Sequence, residues 1–464
     1  MSQALLLSFL EAGGSAAPSV SAARRHSDGQ QHTIIKFHTA YLRGLRLQSA
    51  RSRRSMGFAN PIAPPIGGIM RVTRLVAGCV TIAVAGCWAG NADAQDSIKQ
   101  DTIKIGLVIP MTGASAAAGR EISDAAKLYV AQHGDTVTGK KVELIVKDDA
   151  SVPDNAKRLA QELIVNDKVN FLGAGLTPSA TAMAPIATQA KIPTVVMASG
   201  ALVVTERSPY YVRTSFTRGQ QSGIIADWAI KSGSRKAVMI LSDFAPGAEA
   251  GKVFDANFTK GGGQILDTLK VPLANPDFSA VLQRARDLAP DTLFVFVPAT
   301  QAGAFAKQFA ERGLDKLGIK LVGPGDITDD DDLSTTGNTL VGVVTAGPYS
   351  AAHPSQFNKD YVAAYKKATG HRANFISVGG YDGMHLICAA LEKTNGNADA
   401  DAIIGAMKGM QWESPRGPIS IDPQTRDIVQ NIYIRKVEMV SGEPWAIEIK
   451  TFPAVKDPLK AAAK

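Results

Sequence analysis

The feature that most constrains this chain is a repeated alternation of short apolar runs with segments of helical period. Ile103 to Ile109, IKIGLVI, is a run of the kind found in strands buried on both faces of a parallel sheet. A small-residue loop, PMTGASAAAGRE, leads to a helix with Ile122, Ala125, Ala126, Tyr129 and Val130 on one face. Val142 to Val146 is the next strand and ends at Asp148 and Asp149. Pro153 then opens a helix in which Ala156, Leu159, Ala160, Leu163 and Ile164 follow the i, i+3, i+4, i+7, i+8 rule. Val169 to Leu172 and Pro193 to Ala198 read as further strands with a third helix between them. Strands that alternate with helices imply a parallel sheet built with right-handed crossovers.

The third of these units, VNFLGAGLTPSATAMAPIA from Val169 to Ala187, carries more local information than its neighbours. Gly173 and Gly175 lack a Cβ and are expected to let something approach the backbone. Thr177 is placed to cap the helix through its hydroxyl, with Pro178 at the first helical position, where a missing N–H costs nothing. A helix start with free N–H groups and a positive dipole end suits a carboxylate or similar polar group. Pro185 inside this helix removes one ladder bond and is expected to kink or shorten it.

The pattern restarts after Tyr211-Val212-Arg213-Thr214. Helix faces are marked by Ile224, Ile225 and Trp228, by Val253, Phe254 and Phe258, by Phe278, Val281, Leu282 and Ala285, and by Phe305 and Phe309. Strands are expected at Ala237 to Leu241, Thr292 to Val297, Lys320 to Val322 and Leu340 to Thr345. A third block, Ser355 to Met410, is mostly helical, and Pro415 to Glu438 holds the turn Asp422-Pro423-Gln424-Thr425 between two extended runs. With 464 residues the chain is long enough for two or three domains. Two lobes of similar α/β design are expected, facing each other across a cleft, since ligands of open sheets bind outside the carboxyl ends of the strands.

The net charge of +8 invites a nucleic-acid partner, but its distribution argues against one. Residues 1–94 hold ten Lys/Arg and three Asp/Glu, which leaves the rest of the chain at +1, with no basic field for a phosphate backbone. Residues 70–94, MRVTRLVAGCVTIAVAGCWAGNADA, have the parts of a secretory signal: Arg71 and Arg74, an apolar core, and an Ala92-Asp93-Ala94 cleavage site. The apolar run is too short to span a bilayer. Cleavage after Ala94 is the favoured reading, and a competing one takes Val84-Ala85-Gly86-Cys87 as a lipobox that leaves Cys87 lipidated. Translation is expected to start at Met70, which makes residues 1–69 an upstream extension. Cys79 and Cys87 fall in the signal, so Cys388 remains without a disulfide partner and is expected in the core.

No catalytic constellation emerges. Gly173-Ala174-Gly175-Leu176-Thr177-Pro178 lacks the third glycine of a dinucleotide fingerprint, and no phosphate-binding Gly-x-x-x-x-Gly-Lys-Ser/Thr loop is present. Asp329-Asp330-Asp331-Asp332 lacks the spacing of a calcium loop and reads as a helix start favoured by the dipole after Thr328. His133, His353, His371 and His385 are not paired at metal-ligand spacing. Ser199-Gly200 after a strand reads as a polar ligand contact rather than a nucleophile turn. The expectation is a protein that is not an enzyme and carries no cofactor or metal.

From about Asp101 to Pro453 the chain resembles the type I periplasmic solute-binding proteins of the branched-chain amino-acid (Leu/Ile/Val) ABC importer family. The likeness rests on IKIGLVIPMTG, GAGLTPSATAMAPIA, MASGALVVT, YYVRTSF, LSDFAPGAEA and SPRGPISIDPQTRD, in family order. The resemblance implies an α/β fold of two Rossmann-like lobes with parallel sheets, joined by three crossovers and closing on a small ligand. Residues 101–216 with 348–412 are expected to form lobe 1, and 217–347 with 413–455 lobe 2. It further implies an exported monomeric receptor, periplasmic or lipid-anchored, serving an inner-membrane ABC permease. A ligand-sensing regulator of the amide-sensor type is the alternative on the same fold. The ligand contacts it implies are Thr177 and Ser179 in one loop, and Ala198, Ser199 and Gly200 in the next. Phe244, Pro246, Asp326 and Tyr349 are candidates across the cleft, and Tyr381 is a further candidate for its apolar part.

The sequence departs from the family at four places. Gly200 stands where Thr is common, Ala118 where an aromatic is expected, Pro246 where Tyr is frequent, and Gly325 where an acidic residue would pair a ligand ammonium, with Asp326 next to it. A larger pocket without a fixed carboxylate weakens the case for an ammonium, because a buried ammonium needs a counter-charge. The ligand therefore need not be Leu, Ile or Val: the expectation is an amino acid or a related carboxylate or amide, with a bulkier body such as an aromatic acid among the alternatives. Asp326 turned into the cleft would keep an amino acid viable.

Overall fold

The structure is a computed structural model and describes residues 102–462, so the signal segment, Cys87 and the upstream extension lie outside the described residues. The first sheet is built from β1 (Thr102–Ile109), β2 (Thr136–Val137), β3 (Lys140–Asp148), β4 (Phe171–Ala174), β5 (Thr194–Val196) and β6 (Tyr211–Arg213), in the order β2-β3-β1-β4-β5-β6. Helices α1 (Ala116–His133), α2 (Pro153–Val165) and α3 (Thr177–Ala190) connect its strands. All pairings are parallel except β2 with β3. β1 is central, and Ile105, Leu107, Val108 and Ile109 are wholly buried. Each such side chain is worth about 1.5–3 kcal/mol, and this is why the run needs no polar alternation.

The chain then crosses to a second lobe through residues 214–217. Its parallel part comprises β7 (Lys236–Ser242), β8 (Gln264–Val271), β9 (Thr292–Phe296), β10 (Lys320–Pro324) and β11 (Val344–Gly347). The helices of this part are α4 (Arg218–Lys231), α5 (Ala245–Lys260), α6 (Ser279–Leu288), α7 (Ala299–Glu311) and the single turn α8 (Asp330–Leu333). After β11 the chain returns to the first lobe as α9 (Gln356–Thr369), α10 (Phe375–Lys393) and α11 (Ala400–Met407), with α9 and α10 packed on α1. It crosses a third time into β12 (Gln411–Ser414), β13 (Gly417–Ile421), β14 (Ile428–Val440) and β15 (Glu443–Val455), and ends in α12 (Pro458–Ala462).

This last group makes the second sheet mixed rather than parallel, because β12 to β15 pair antiparallel and β14 also runs antiparallel to β11. Among β12 to β15 the short connections dictate it, since parallel neighbours need a crossover of a dozen residues. Asp422 closes one turn by accepting from the N–H groups of Gln424 and Thr425 at 2.9 Å each, and Ser441-Gly442 makes the other with both residues at positive φ.

A buried polar knot ties the crossings together. The fully buried Arg416, between β12 and β13, donates to Asp382 of α10 at 2.6 Å and to Gln430 of β14 at 3.0 Å. It also donates to the carbonyls of Thr214 and Ser215, at 3.0 and 2.9 Å, in the first crossing. Asp382 accepts in addition from Ser414 at 2.8 Å and Trp412 at 3.1 Å. With every charge paired and hydrogen-bonded, burial here fixes geometry at little net cost.

Candidate functional site

A cavity of about 280 Å³ lies between the two lobes, at the carboxyl ends of the strands of both sheets. From the first lobe it is lined by the starts of α1 and α3, including Ser115, Ala118, Leu176, Thr177 and Pro178, and by Ala198 and Gly200 after β5. The second lobe contributes Phe244 and Pro246 after β7, Phe296 and the start of α7 after β9, and Asp326 after β10. Phe216 and Arg218 come from the first crossing, and Phe375 and Ile376 from the start of α10. Glu249 of α5 accepts from the N–H of Leu202 at 2.8 Å, a contact between the lobes.

The walls are aromatic. Phe216 meets Phe375 edge-on at 5.1 Å between centroids, and Phe244 stacks on Phe296 at 5.9 Å. Arg218 lies between Phe216 and Phe296, its guanidinium carbon 4.5 Å from each ring centroid, an arrangement that favours a cation over a π face. Its Nη1 and Nη2 donate to the two oxygens of Asp326, with Nη2 to Oδ1 at 2.8 Å. Both residues are buried, at 6% and 2% exposure. Burial pushes Arg218 down from its ordinary value and Asp326 up, and each is opposed by the charge of the other. Arg218 Nε is buried and has no hydrogen-bond partner.

Thr177, Ala198, Gly200, Phe244, Pro246 and Asp326 all line this cavity, whereas Ser179, Ser199, Tyr349 and Tyr381 do not. Ser179 is wholly buried on the inner side of α3. Ser199 is wholly buried and reaches the site only through its hydroxyl, 2.7 Å from that of Thr177. Tyr349 sits in the core and donates to Asn358 at 2.9 Å, because the chain after β11 turns into the second crossing rather than toward the cleft. Tyr381 points to α1, where its hydroxyl donates to Gln132 at 2.8 Å.

Several local details differ from expectation. Thr177 is the first residue of α3 and Leu176 the N-cap. The Thr177 hydroxyl bonds to Ser199 instead of capping, and the first-turn N–H groups stay without helical acceptors. The helix runs through Pro185 to Ala190, held by the buried Ala180, Met183, Ala184 and Ala187. What approaches Gly173 is the packed Leu107 side chain, 2.5 Å from where a Cβ would stand, rather than a ligand. Gly325 cannot carry an acid, since a Cβ there would lie on the Arg435 guanidinium. Asp329, not Thr328, caps α8, accepting from Asp331 and Asp332 N–H.

Sequence reasoning missed Arg218, Phe216, Phe296 and Phe375. Arg218 did leave a signal: it stands at the first position of α4, where the helix dipole disfavours a cation. A local rule broken in that way marks a functional position.

The family model for periplasmic binding proteins matches residues 102–443. The chain is 41% identical over 369 residues to the Leu/Ile/Val-binding protein homolog 6 of Brucella suis biovar 1, covering 78% of this chain and 94% of that protein. Among solved structures it is similar to a solute-binding protein of an ABC transporter from Rhodopseudomonas palustris BisB5 in complex with 3,4-dihydroxybenzoic acid. That likeness has 63% identity and a TM-score of 0.77, covering 78% of this chain and 99% of that one. A second solute-binding protein, from R. palustris HaA2 in complex with p-hydroxybenzoic acid, is 39% identical with a TM-score of 0.75, covering 78% and 100% of the two chains.

Proposed function

The chain belongs to the periplasmic binding protein family as a substrate-binding protein of an ABC transporter, and on that footing we propose that its ligand is a benzoate-type aromatic carboxylate. The observation that carries this reading is the state of Asp326. The acidic side chain lining the cavity is held by Arg218, so no free carboxylate awaits an α-ammonium, while Phe216, Phe244, Phe296 and Phe375 offer faces and edges to a flat ring. An amino acid bound here would leave its ammonium buried without a counter-charge, which is costly. The relatives in complex with hydroxylated benzoic acids support the same choice.

The protein captures the acid by closure of the two lobes, because the ligand touches both only when they are shut. It then passes the ligand to a membrane permease after export to the periplasm. Its role is binding and not catalysis. Thr177, with Ala198 and Gly200 beside it, supplies donors for the carboxylate, and Phe244 and Pro246 cover the ring. Nothing among the relatives supports the amide-sensor alternative.

Thermal shift against leucine, isoleucine, valine, benzoate, 4-hydroxybenzoate and 3,4-dihydroxybenzoate tests the reading. A ligand present at a hundred times its Kd adds about 2.7 kcal/mol of stability. Aromatic acids are expected to raise Tm and the three amino acids to leave it unchanged. Stabilisation by the amino acids alone would sink the proposal.

A further inference from the structure

We propose that the buried Arg218–Asp326 pair is the specificity determinant for a hydroxyl group on the ligand ring, with the ligand carboxylate turned to the first lobe. This rests on the aromatic-carboxylate reading and adds what the far end of the ring must carry.

The pair faces the cavity as a donor and an acceptor side by side. The two Arg218–Asp326 bonds use two of five guanidinium N–H groups and leave lone pairs on both Asp326 oxygens. Phe216 and Phe296 both pack against the guanidinium, and with the two bonds to Asp326 they hold it in place before any ligand arrives. The Nε edge is not the ligand's, since it is buried against Gly200, whose missing Cβ would stand 2.9 Å away. A phenol hydroxyl meets what remains: it donates to Asp326 and accepts from Arg218. A carboxylate at the same place can only accept, and it would lie against the charge of Asp326.

The first lobe offers the opposite chemistry. Its contribution to the lining includes no charged side chain, and Ser115 and Thr177 stand there with the starts of α1 and α3. Those positions supply hydroxyl and N–H donors at positive dipole ends, which suit a carboxylate. The ligand therefore lies with its acid toward α3 and its hydroxyl toward β10. A ring without that hydroxyl desolvates the ion pair and gives nothing back, and sites built to hydrogen-bond a hydroxyl discriminate strongly for this reason.

Isothermal titration with benzoate, 4-methoxybenzoate, 4-hydroxybenzoate and 3,4-dihydroxybenzoate decides the matter. The native protein is expected to bind the two hydroxylated acids at least about tenfold more tightly than benzoate or the methoxy ether, the range for a hydrogen bond to a charged group. In the double variant Arg218→Met/Asp326→Leu, an apolar replacement of a kind buried pairs often tolerate, that gap should close to within about threefold. The single variant Asp326→Asn keeps the volume but removes the charged acceptor, and should narrow the ratio of benzoate to 4-hydroxybenzoate Kd relative to the native protein. Equal affinity for benzoate and 4-hydroxybenzoate in the native protein overturns the proposal. So does a gap that survives the double variant, which would move hydroxyl recognition to another lining group such as Gln301. Binding of no aromatic acid at all is a different result, and it refutes the ligand class itself.

Discussion

Replacing Gly200 by alanine adds one carbon to the wall of the cavity and tests how tightly that wall is set. The new Cβ would stand 2.7 Å from Cε2 of Phe216 and 2.9 Å from Nε of Arg218. Carbon contacts are comfortable only near 3.5–4.0 Å, so both neighbours must retreat by about half an ångström or more. Their packing on the sides away from the cavity opposes that retreat. Phe216 is backed by Phe375 at 5.1 Å, and Arg218 is tied to Asp326 and stacked on Phe296. Overpacking of this kind costs about 1–3 kcal/mol. At about 2 °C per kcal/mol for a chain of this size, Tm should fall by about 2–6 °C. The retreat also tilts the guanidinium that faces the ligand, and a loss of about 1.4 kcal/mol there is tenfold in Kd. Titration calorimetry with 3,4-dihydroxybenzoate and a thermal melt of the free protein read the two effects separately. An alanine variant with native Tm and native affinity would refute the picture of a wall in which Gly200 makes room for Arg218.

Arg416→Met should lower stability by about 3–5 kcal/mol in urea denaturation, because it strands the buried Asp382 carboxylate; a loss under about 1 kcal/mol would show that the knot is not a structural tie. Glu121, close to Asp331, Asp332 and Asn374, is pushed up to about 7, first by burial and then by the two aspartates, against the lowering effect of Asn374 and Arg120. Its folded value lies above the unfolded one, so its contribution is whole below about pH 4.5 and is lost as pH rises through about 7. Glu121→Gln should accordingly flatten the fall in Tm between pH 5 and pH 8, and an unchanged Tm profile would contradict the raised value. Thr177→Val removes the hydroxyl bonded to Ser199 and should weaken benzoate about tenfold in titration calorimetry, with the ring selectivity unchanged.

Much of the scaffold was legible because it rests on burial. The run at Ile103–Ile109 and the periodic helix from Pro153 follow directly from which faces meet the core. β8 escaped notice, since an edge strand with a half-exposed QILDTLKV pattern has no apolar run to show. The cavity lining was legible where it lies just past a strand end, as at Thr177, Ala198, Gly200, Phe244, Pro246 and Asp326. Phe216, Phe296 and Phe375 become one surface only after two crossings bring 160 residues of chain together, and no local pattern records that. Tyr349 illustrates the reverse error: a tyrosine just past a strand end reads as cleft-facing until the crossing that follows is known to bury it. Asp326 was seen as a possible ammonium partner because its counter-ion, 108 residues earlier, was not.

The place of Arg218 in the chain has a mechanical consequence. Only two residues separate it from Ser215, whose carbonyl is gripped by Arg416 in the knot that joins the crossings. In the closure proposed above, whatever pulls on the guanidinium would be felt almost at once by the backbone that joins the lobes. Such a short lever leaves little slack: occupancy of the cavity and the angle between the lobes become readings of a single coordinate, and a docking partner that gauges the angle thereby gauges the cargo.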